Sequence, residues 1–288
     1  MKNKKPILIT ETPRDALQGL KKYIPAATKA EYINLLLKCG FDCVDVGSFV
    51  SYKSVPQMTD TDQVLDLLED SDTEIMVVVG NEKGCLQAVE QARVGKIGFP
   101  YSVSPTFLMR NINSTPEKAS VTIDKLLEIT HRYRKNLLVY MAMAFGNPYG
   151  DKWSIAILLA ETEKLYCKGL REIALSDITA EATPDRAFKV CDALQKAYPG
   201  VHFRLHLHTL PGESHEKINA AYEAGIRNFE SATGGAGGCP MTGYEMVSNL
   251  NTFDLLNYCK INGIETSVDE FVFGQAMELA DKIFAQYS

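Results

Sequence analysis

Two histidines separated by one residue, His206-Leu207-His208, stand at the end of a short apolar run. In an extended strand alternate side chains share a face, so the imidazoles fall about 7 Å apart along it, close enough to share one divalent ion. Two hydrogen-bonded histidines at a strand end are the other reading of the same residues. Far upstream, Arg14-Asp15 follows another short apolar run. Its carboxylate adds a hard oxygen to two imidazoles, a mixed set that suits Mg²⁺, Mn²⁺ or Zn²⁺. The guanidinium beside it can hold a developing oxyanion through charge-assisted hydrogen bonds. An ordinary surface ion pair is the alternative.

A third feature is Gly234-Gly235-Ala236-Gly237-Gly238-Cys239-Pro240, where glycine density predicts a mobile loop whose thiol can close over a substrate. Cys39, Cys167 and Cys191 fall on helical segments and read as core filler. Asp45 and Ser48, Ser102 and Ser104, and Asp177 sit in or just after strand candidates and complete a ring of polar groups. Each can instead satisfy local backbone. Asn249 is read at the start of the helix after the glycine loop, as an N-cap or as a neutral oxygen ligand.

These residues need a scaffold that brings distant positions together. Strand candidates at 7–11, 43–49, 74–79, 96–102, 137–145, 172–178, 203–208 and 228–232 alternate with helical stretches along the whole chain. Several are apolar at consecutive positions, as in Met76-Val77-Val78-Val79, which suits strands covered on both faces of a parallel sheet. Helix punctuation lies between them: Thr28 with Glu31 as a capping box, Gly40 as a stop, Ser154 to Gly169, Thr183-Pro184, Ser214 to Gly225, and Ser267 with Glu270. Eight strand–helix repeats predict an α/β fold of the (β/α)8 TIM-barrel kind, in which active sites lie at the C-terminal ends of the strands. An open doubly wound sheet is disfavoured, because Thr12-Pro13-Arg14-Asp15 stands where its Gly-rich phosphate turn would be. One domain over 1–288 is expected, with a catalytic loop near 233–248 and C-terminal helices near 249–288.

Composition narrows the class further. The chain has 288 residues, 45% of them apolar, and a formal charge of −6. Nucleic acid and anionic membrane, which need clustered Lys and Arg, are poor partners for such a chain. No apolar run spans a bilayer, and the one behind Pro6 is too short for a signal peptide. Seven cysteines, without a Cys-x-x-Cys pair, argue for a reducing, cytoplasmic setting.

Taken together, the chain resembles the 3-hydroxy-3-methylglutaryl-CoA lyases, within the wider group of metal-dependent TIM-barrel lyases and condensing enzymes. The resemblance runs nearly end to end. It rests on Pro13-Arg14-Asp15-Ala16-Leu17-Gln18, Gly47-Ser48-Phe49-Val50-Ser51, Val55-Pro56-Gln57-Met58 and Asn111-Ile112-Asn113. It continues through Leu175-Ser176-Asp177 with Thr183-Pro184, His206-Leu207-His208, and Gly237-Gly238-Cys239-Pro240. It implies a divalent cation, Mg²⁺ or Mn²⁺ (Zn²⁺ in crystals), held by Asp15, His206, His208 and Asn249. It further implies that Arg14 stabilises an enolate oxygen, that His206 also transfers a proton, that Cys239 shields the site and protonates product, and that Asp45 takes the place of an active-site glutamate. Gln18, Ser48, Ser102 and Asp177 are expected to contact substrate, and a homodimer is expected by analogy.

The implied reaction is a retro-Claisen cleavage of a 3-hydroxyacyl-CoA into acetyl-CoA and a keto acid, a step in leucine degradation in the family's namesake. Such chemistry needs a base for the hydroxyl proton, a Lewis acid, an enolate-stabilising cation and a closed loop. A Claisen-type synthase joining acetyl-CoA to a 2-keto acid is the first alternative; Leu17 and Cys239 depart from its pattern. A barrel that binds ligand without catalysis is the second, motivated by departures from the lyase pattern at Thr209-Leu210-Pro211-Gly212-Glu213 and Lys217.

Overall fold

Short runs of β-branched and apolar residues, each closed by a helix-capping signal, wind into eight parallel strands in a computed structural model that describes residues 4–288. The strands are β1 (Leu8–Glu11), β2 (Cys43–Phe49), β3 (Glu74–Val79), β4 (Val94–Ser102), β5 (Asn136–Ala142), β6 (Glu172–Asp177), β7 (His202–Leu207) and β8 (Asn228–Ser231). They pair in sequence order, and β1 closes on β8 with Glu11 opposite Ser231. The expected (β/α)8 barrel is what forms, with strand ends within a few residues of expectation. The largest difference is β5, which stops at Ala142 because Met143 turns to a φ of 59°.

The helices are α1 (Pro13–Gln18), α2 (Ala26–Lys38), α3 (Thr61–Asp66), α4 (Glu82–Glu90), α5 (Pro105–Ile112), α6 (Pro116–Arg132), α7 (Ile155–Cys167), α8 (Pro184–Ala197), α9 (Ser214–Glu223), α10 (Thr252–Asn262) and α11 (Glu270–Tyr287). Ser154 and Thr183 cap α7 and α8 through their hydroxyls as the sequence indicates. Three caps fall elsewhere. Helix α2 begins behind Pro25, leaving Thr28 inside its first turn, Glu213 rather than Ser214 flanks α9, and Asp269 rather than Ser267 accepts the first amides of α11. An aspartate two residues nearer the apolar run outcompetes the serine, since a carboxylate also complements the helix dipole.

Burial is divided between two layers. Outward-facing strand residues such as Ile9, Val44, Val77, Val139 and Leu175 pack under the helices in one continuous core. The barrel interior holds a smaller cluster of Cys43, Met76, Leu138, Tyr140 and Ala174. The interior is not all apolar: Lys96 bridges Glu74 and Glu172, and Arg204 reaches Glu230 at 3.2 Å. Gly98 makes space in this layer, because a Cβ there would lie 2.8 Å from the Tyr140 ring. Tyr140 thereby reaches across to Glu230, with its hydroxyl 3.1 Å away.

Candidate metal centre and active site

The C-terminal ends of β1, β7 and β8 converge on one point. Among the described residues, the group able to hold a metal ion is Asp15, His206 and His208, all buried. The two Nε2 atoms lie 3.2 Å apart, and His206 Nε2 is 3.9 Å from Asp15 Oδ2. The outer nitrogens fix the tautomers. His208 Nδ1 faces the Val247 carbonyl at 2.7 Å, an oxygen that only accepts, and His206 Nδ1 faces the Glu230 carboxylate at 2.9 Å. Both Nδ1 atoms therefore donate, and the two Nε2 lone pairs point at one another. Such an arrangement is repulsive until a proton or a cation lies between them.

Asn249 completes the set. It bridges to His208, its Nδ2 donates to Ala236 O at 2.8 Å, and its Oδ1 is buried without a partner. An orphaned amide oxygen beside a carboxylate and two imidazoles is a fourth ligand in waiting. This donor set fits a hard or borderline divalent cation. The N-cap role considered for Asn249 belongs instead to Asn251, whose Oδ1 accepts from Phe253 N. Pairing of Asn249 with the end of β7 holds it two residues short of the helix.

Charge follows geometry. Burial alone would raise Asp15, but Arg14 and both histidines hold its carboxyl below the usual range. Burial lowers His208 to about 4, with the neighbouring His206 acting in the same sense. For His206 burial also lowers, yet the hydrogen bond and charge of Glu230 prevail and raise it. With Nδ1 given to Glu230, ligation and proton transfer are alternative uses of the one remaining lone pair of His206.

Arg14 lines the same cavity. Its Nε and Nη2 both donate to Asp45 Oδ2, at 2.9 and 2.6 Å, and its Nη1 reaches Asp15 and Gln18. Asp45 is fully buried behind it and is pushed up to about 6 by desolvation, against the pull of Arg14. Gln18 braces the pair by donating to Asp15 while accepting from Arg14. Ser48 lines the cavity with an unpartnered Oγ, so it is free to meet a ligand.

The structure does not bring Ser102 or Asp177 to the cavity wall. Ser102 Oγ donates to Ala142 O and accepts from Ser104 N, while Ser104 caps α5. Asp177 accepts from the backbone of Glu181 and Ala182, and burial raises it to about 6. Both spend their polar atoms on turning the chain out of the barrel. Lys217, one of the departures from the lyase pattern, is buried and paired with Glu213 at 2.7 Å, away from the cation cluster.

Cys239 overhangs the cavity, half-buried, and its thiol is raised to about 11 chiefly by desolvation, so it stays protonated at neutral pH. Its loop approaches the cluster because Gly237 lacks a side chain. With a φ of +95°, a Cβ there would stand 2.5 Å from Asp15 O and 2.8 Å from Asn249 Nδ2. Thr242 O, in the same loop, accepts from Arg110 Nη1 at 3.0 Å and from Tyr149 Oη at 2.8 Å. Among the other cysteines, Cys39 and Cys191 are buried as expected, whereas Cys167 is exposed. The cavity measures about 480 Å³ and opens past Ser51, Arg110 and Asn113.

Three residues of this site were not singled out from sequence: Glu230, Tyr140 and Arg204. A lone glutamate in Asn228-Phe229-Glu230-Ser231 was the available signal, since an acidic side chain in the interior of a barrel strand needs a partner.

Comparison with known proteins agrees with this arrangement. Hydroxymethylglutaryl-CoA lyase (mitochondrial) of Bos taurus is 30% identical over 89% of this chain and 79% of its own length. (R)-citramalyl-CoA lyase of Chloroflexus aurantiacus is 27% identical over 91% of the chain and 86% of its own. Among solved structures, an HMG-CoA lyase from Acinetobacter baumannii in complex with coenzyme A and 3-methylmalate superposes with a TM-score of 0.90. It is 28% identical, covering 97% of this chain and 92% of that one. The sequence profile of the HMGL-like family matches residues 5–279, and with the barrel and its Asp15–His206–His208 cluster this chain belongs to that family.

Proposed function

We propose that the protein is a divalent-metal-dependent carbon–carbon lyase that cleaves 3-hydroxy-3-methylglutaryl-CoA, or a close 3-hydroxyacyl-CoA, into acetyl-CoA and acetoacetate or the matching keto acid. The observation that carries this reading is the convergence, in one cavity, of the cluster Asp15, His206, His208 and Asn249 with Arg14 beside it and the Cys239 thiol above. Similarity to lyases for two different acyl-CoA thioesters supports the reaction class.

In this reaction the bond between C2 and C3 of the acyl chain breaks. The C3 hydroxyl loses its proton and becomes a ketone, while the electron pair passes to C2 as the thioester enolate. A proton then adds at C2, so hydrogen balances and nothing is oxidised. Asp15, His206, His208 and Asn249 would hold a divalent cation, Mg²⁺ or Mn²⁺, which would supply Lewis acidity for ionising the substrate hydroxyl. Among the cavity-lining residues, those with an acceptor atom for that proton are Asp15, His206 and His208, and of these it is His206 whose hold on a proton is raised, by the hydrogen bond and charge of Glu230. Arg14, fixed in orientation by Asp45, meets the charge that develops on the thioester oxygen without reorganising. Cys239, protonated at neutral pH, faces the same space and delivers the proton to C2. Ser48 and Gln18 are proposed to position substrate.

The test is turnover of hydroxymethylglutaryl-CoA and citramalyl-CoA with added Mg²⁺ or Mn²⁺, run also from acetyl-CoA plus keto acid. Release of acetyl-CoA from either thioester supports the lyase. Condensation alone selects the synthase, and no turnover of any thioester sinks the proposal. Homodimeric assembly and cytoplasmic residence are the accompanying expectations, the second in keeping with seven unpaired cysteines and checked by fractionation.

A further inference from the structure

Glu11 is a fully buried carboxylate that lines no part of the active-site cavity. It sits at the end of β1, facing out of the barrel, where no cation among the described residues pairs with it. Its Oε1 accepts from Thr233 N and Thr233 Oγ1, each at 2.7 Å, and its Oε2 accepts from Thr252 Oγ1 at 2.5 Å. Thr233 is the first residue of the glycine loop after β8, and Thr252 is the first residue of α10. One side chain thus ties down both roots of the segment that carries Cys239 and Asn249.

The backbone ladder at these roots is thin. Ala232 and Leu250 share one hydrogen bond, as do Thr252 and Ala232, and Gly234 and Gly235 follow at once with φ of 66° and 65°. The outer part of the chain between the roots is exposed, with Gly243, Tyr244, Glu245 and Met246 all on the surface. Beyond Asn249 the segment is also held by the Thr242 carbonyl, by Tyr244 Oη donating to Pro148 O, and along its last residues by His208 Nδ1, Thr209 N and Leu250 N bonding Val247 O, Ser248 O and Leu207 O. None of these reaches the glycine-rich stretch that leads into Cys239. A glycine-rich segment of this kind has little intrinsic order, so the position of its thiol depends on how its ends are held.

We propose that Glu11 is a positioning residue for the lyase reaction, clamping the two ends of the 233–252 segment so that Cys239 is held over the substrate. The proposal rests on the reading of Cys239 as the proton donor, but the clamp itself can be measured without turnover. Burial without a counter-charge, which raises Glu11 to about 7, shows that the site retains an acidic group at a cost, in keeping with a role for its two acceptor oxygens.

The experiment compares Glu11→Leu, Glu11→Gln and Thr252→Val with the parent protein. Alkylation by N-ethylmaleimide is read at each cysteine by mass spectrometry. In Glu11→Leu, Cys239 should react about tenfold faster, exposed Cys167 should keep its rate, and buried Cys85 and Cys191 should stay protected. kcat should fall about tenfold or more with KM within about threefold. Glu11→Gln, which keeps one acceptor for Thr233 and can donate to Thr252, should recover most of the loss. Thr252→Val, which leaves the carboxylate in place, should show the same pattern more weakly and decides the matter if Glu11→Leu does not fold. In a Cys239→Ser background Glu11→Leu should cost no further activity.

An unchanged Cys239 labelling rate in Glu11→Leu and Thr252→Val overturns the proposal, as does equal acceleration at Cys85 and Cys191. Faster Cys239 labelling with undiminished turnover would instead keep the clamp and reject Cys239 as donor.

Discussion

His206 and Glu230 form a buried pair: the ring Nδ1 stands 2.9 Å from the carboxylate, which also accepts from Tyr140 and Arg204. The two residues are neighbours because β7 and β8 place His206 opposite Glu230 in register. Glu230, held below the usual carboxylate range by His206 and Arg204 against its own burial, stays ionised and keeps the imidazole turned with Nε2 toward Asp15. Glu230→Gln should therefore weaken Mn²⁺ binding about 10- to 100-fold, with a parallel loss of kcat, and Glu230→Asp should fall between. Mn²⁺ titration by calorimetry reads the effect; wild-type affinity in Glu230→Gln would remove this residue from the site's design.

Asp15→Asn leaves the size of the side chain unchanged but removes the only carboxylate of the cluster. Metal affinity should drop by at least about 100-fold, and activity should no longer return when Mg²⁺ or Mn²⁺ is added after a chelator. His208→Ala should behave alike. Full reactivation of either variant at ordinary metal concentrations would show that the cation lies elsewhere.

Cys239→Ser should separate chemistry from metal binding. Serine keeps the shape but is a far weaker acid than a thiol raised to about 11, so kcat should fall about 100-fold or more while the Mn²⁺ dissociation constant moves less than twofold. Equal loss of metal would make Cys239 a ligand instead.

Arg14→Lys preserves charge but not the fork that grips Asp45 through Nε and Nη2. A drop in kcat of about 100-fold or more is expected, with a smaller rise in KM. Asp45→Asn should cost less than Arg14→Lys, since it frees Arg14 without deleting it. The ranking is checked by steady-state kinetics on the same thioester.

Glu11 gives a pH signature in stability. Its folded value is raised to about 7 from 4.5 in the unfolded chain, so the protonated form is favoured by folding. That contribution is complete below about pH 4.5 and is lost as pH rises through about 7. Glu11→Gln does not titrate, so its stability relative to wild type should rise across that window by on the order of 3 kcal/mol and level off above it. Denaturant unfolding of both proteins at pH 5 and pH 8 checks the sign; a constant difference would mean that Glu11 ionises normally.

Much of the scaffold and half of the site are legible in the residues. Repetition of apolar runs and helix caps dictates a parallel barrel, because strands covered on both faces must be apolar at consecutive positions and each crossover needs a helix. The spacing of His206 and His208 places both imidazoles on one face, and Arg14-Asp15 and the glycine loop around Cys239 announce themselves by type. Local rules failed where two residues competed for one role. Asp269 and Asn251 took the caps read at Ser267 and Asn249, and Ser102 and Asp177 gave their polar atoms to the backbone.

What only the tertiary structure decided are the partnerships across the barrel: Glu230 with His206 and Tyr140, Asp45 with Arg14, and Glu11 with Thr233 and Thr252. Most of these pairs span long stretches of chain, and their meeting depends on closure of β1 against β8 and on the inward parity of each strand. A sequence fixes which side chains alternate to one face. Register and closure, set by the packing of the whole barrel, determine whom they meet.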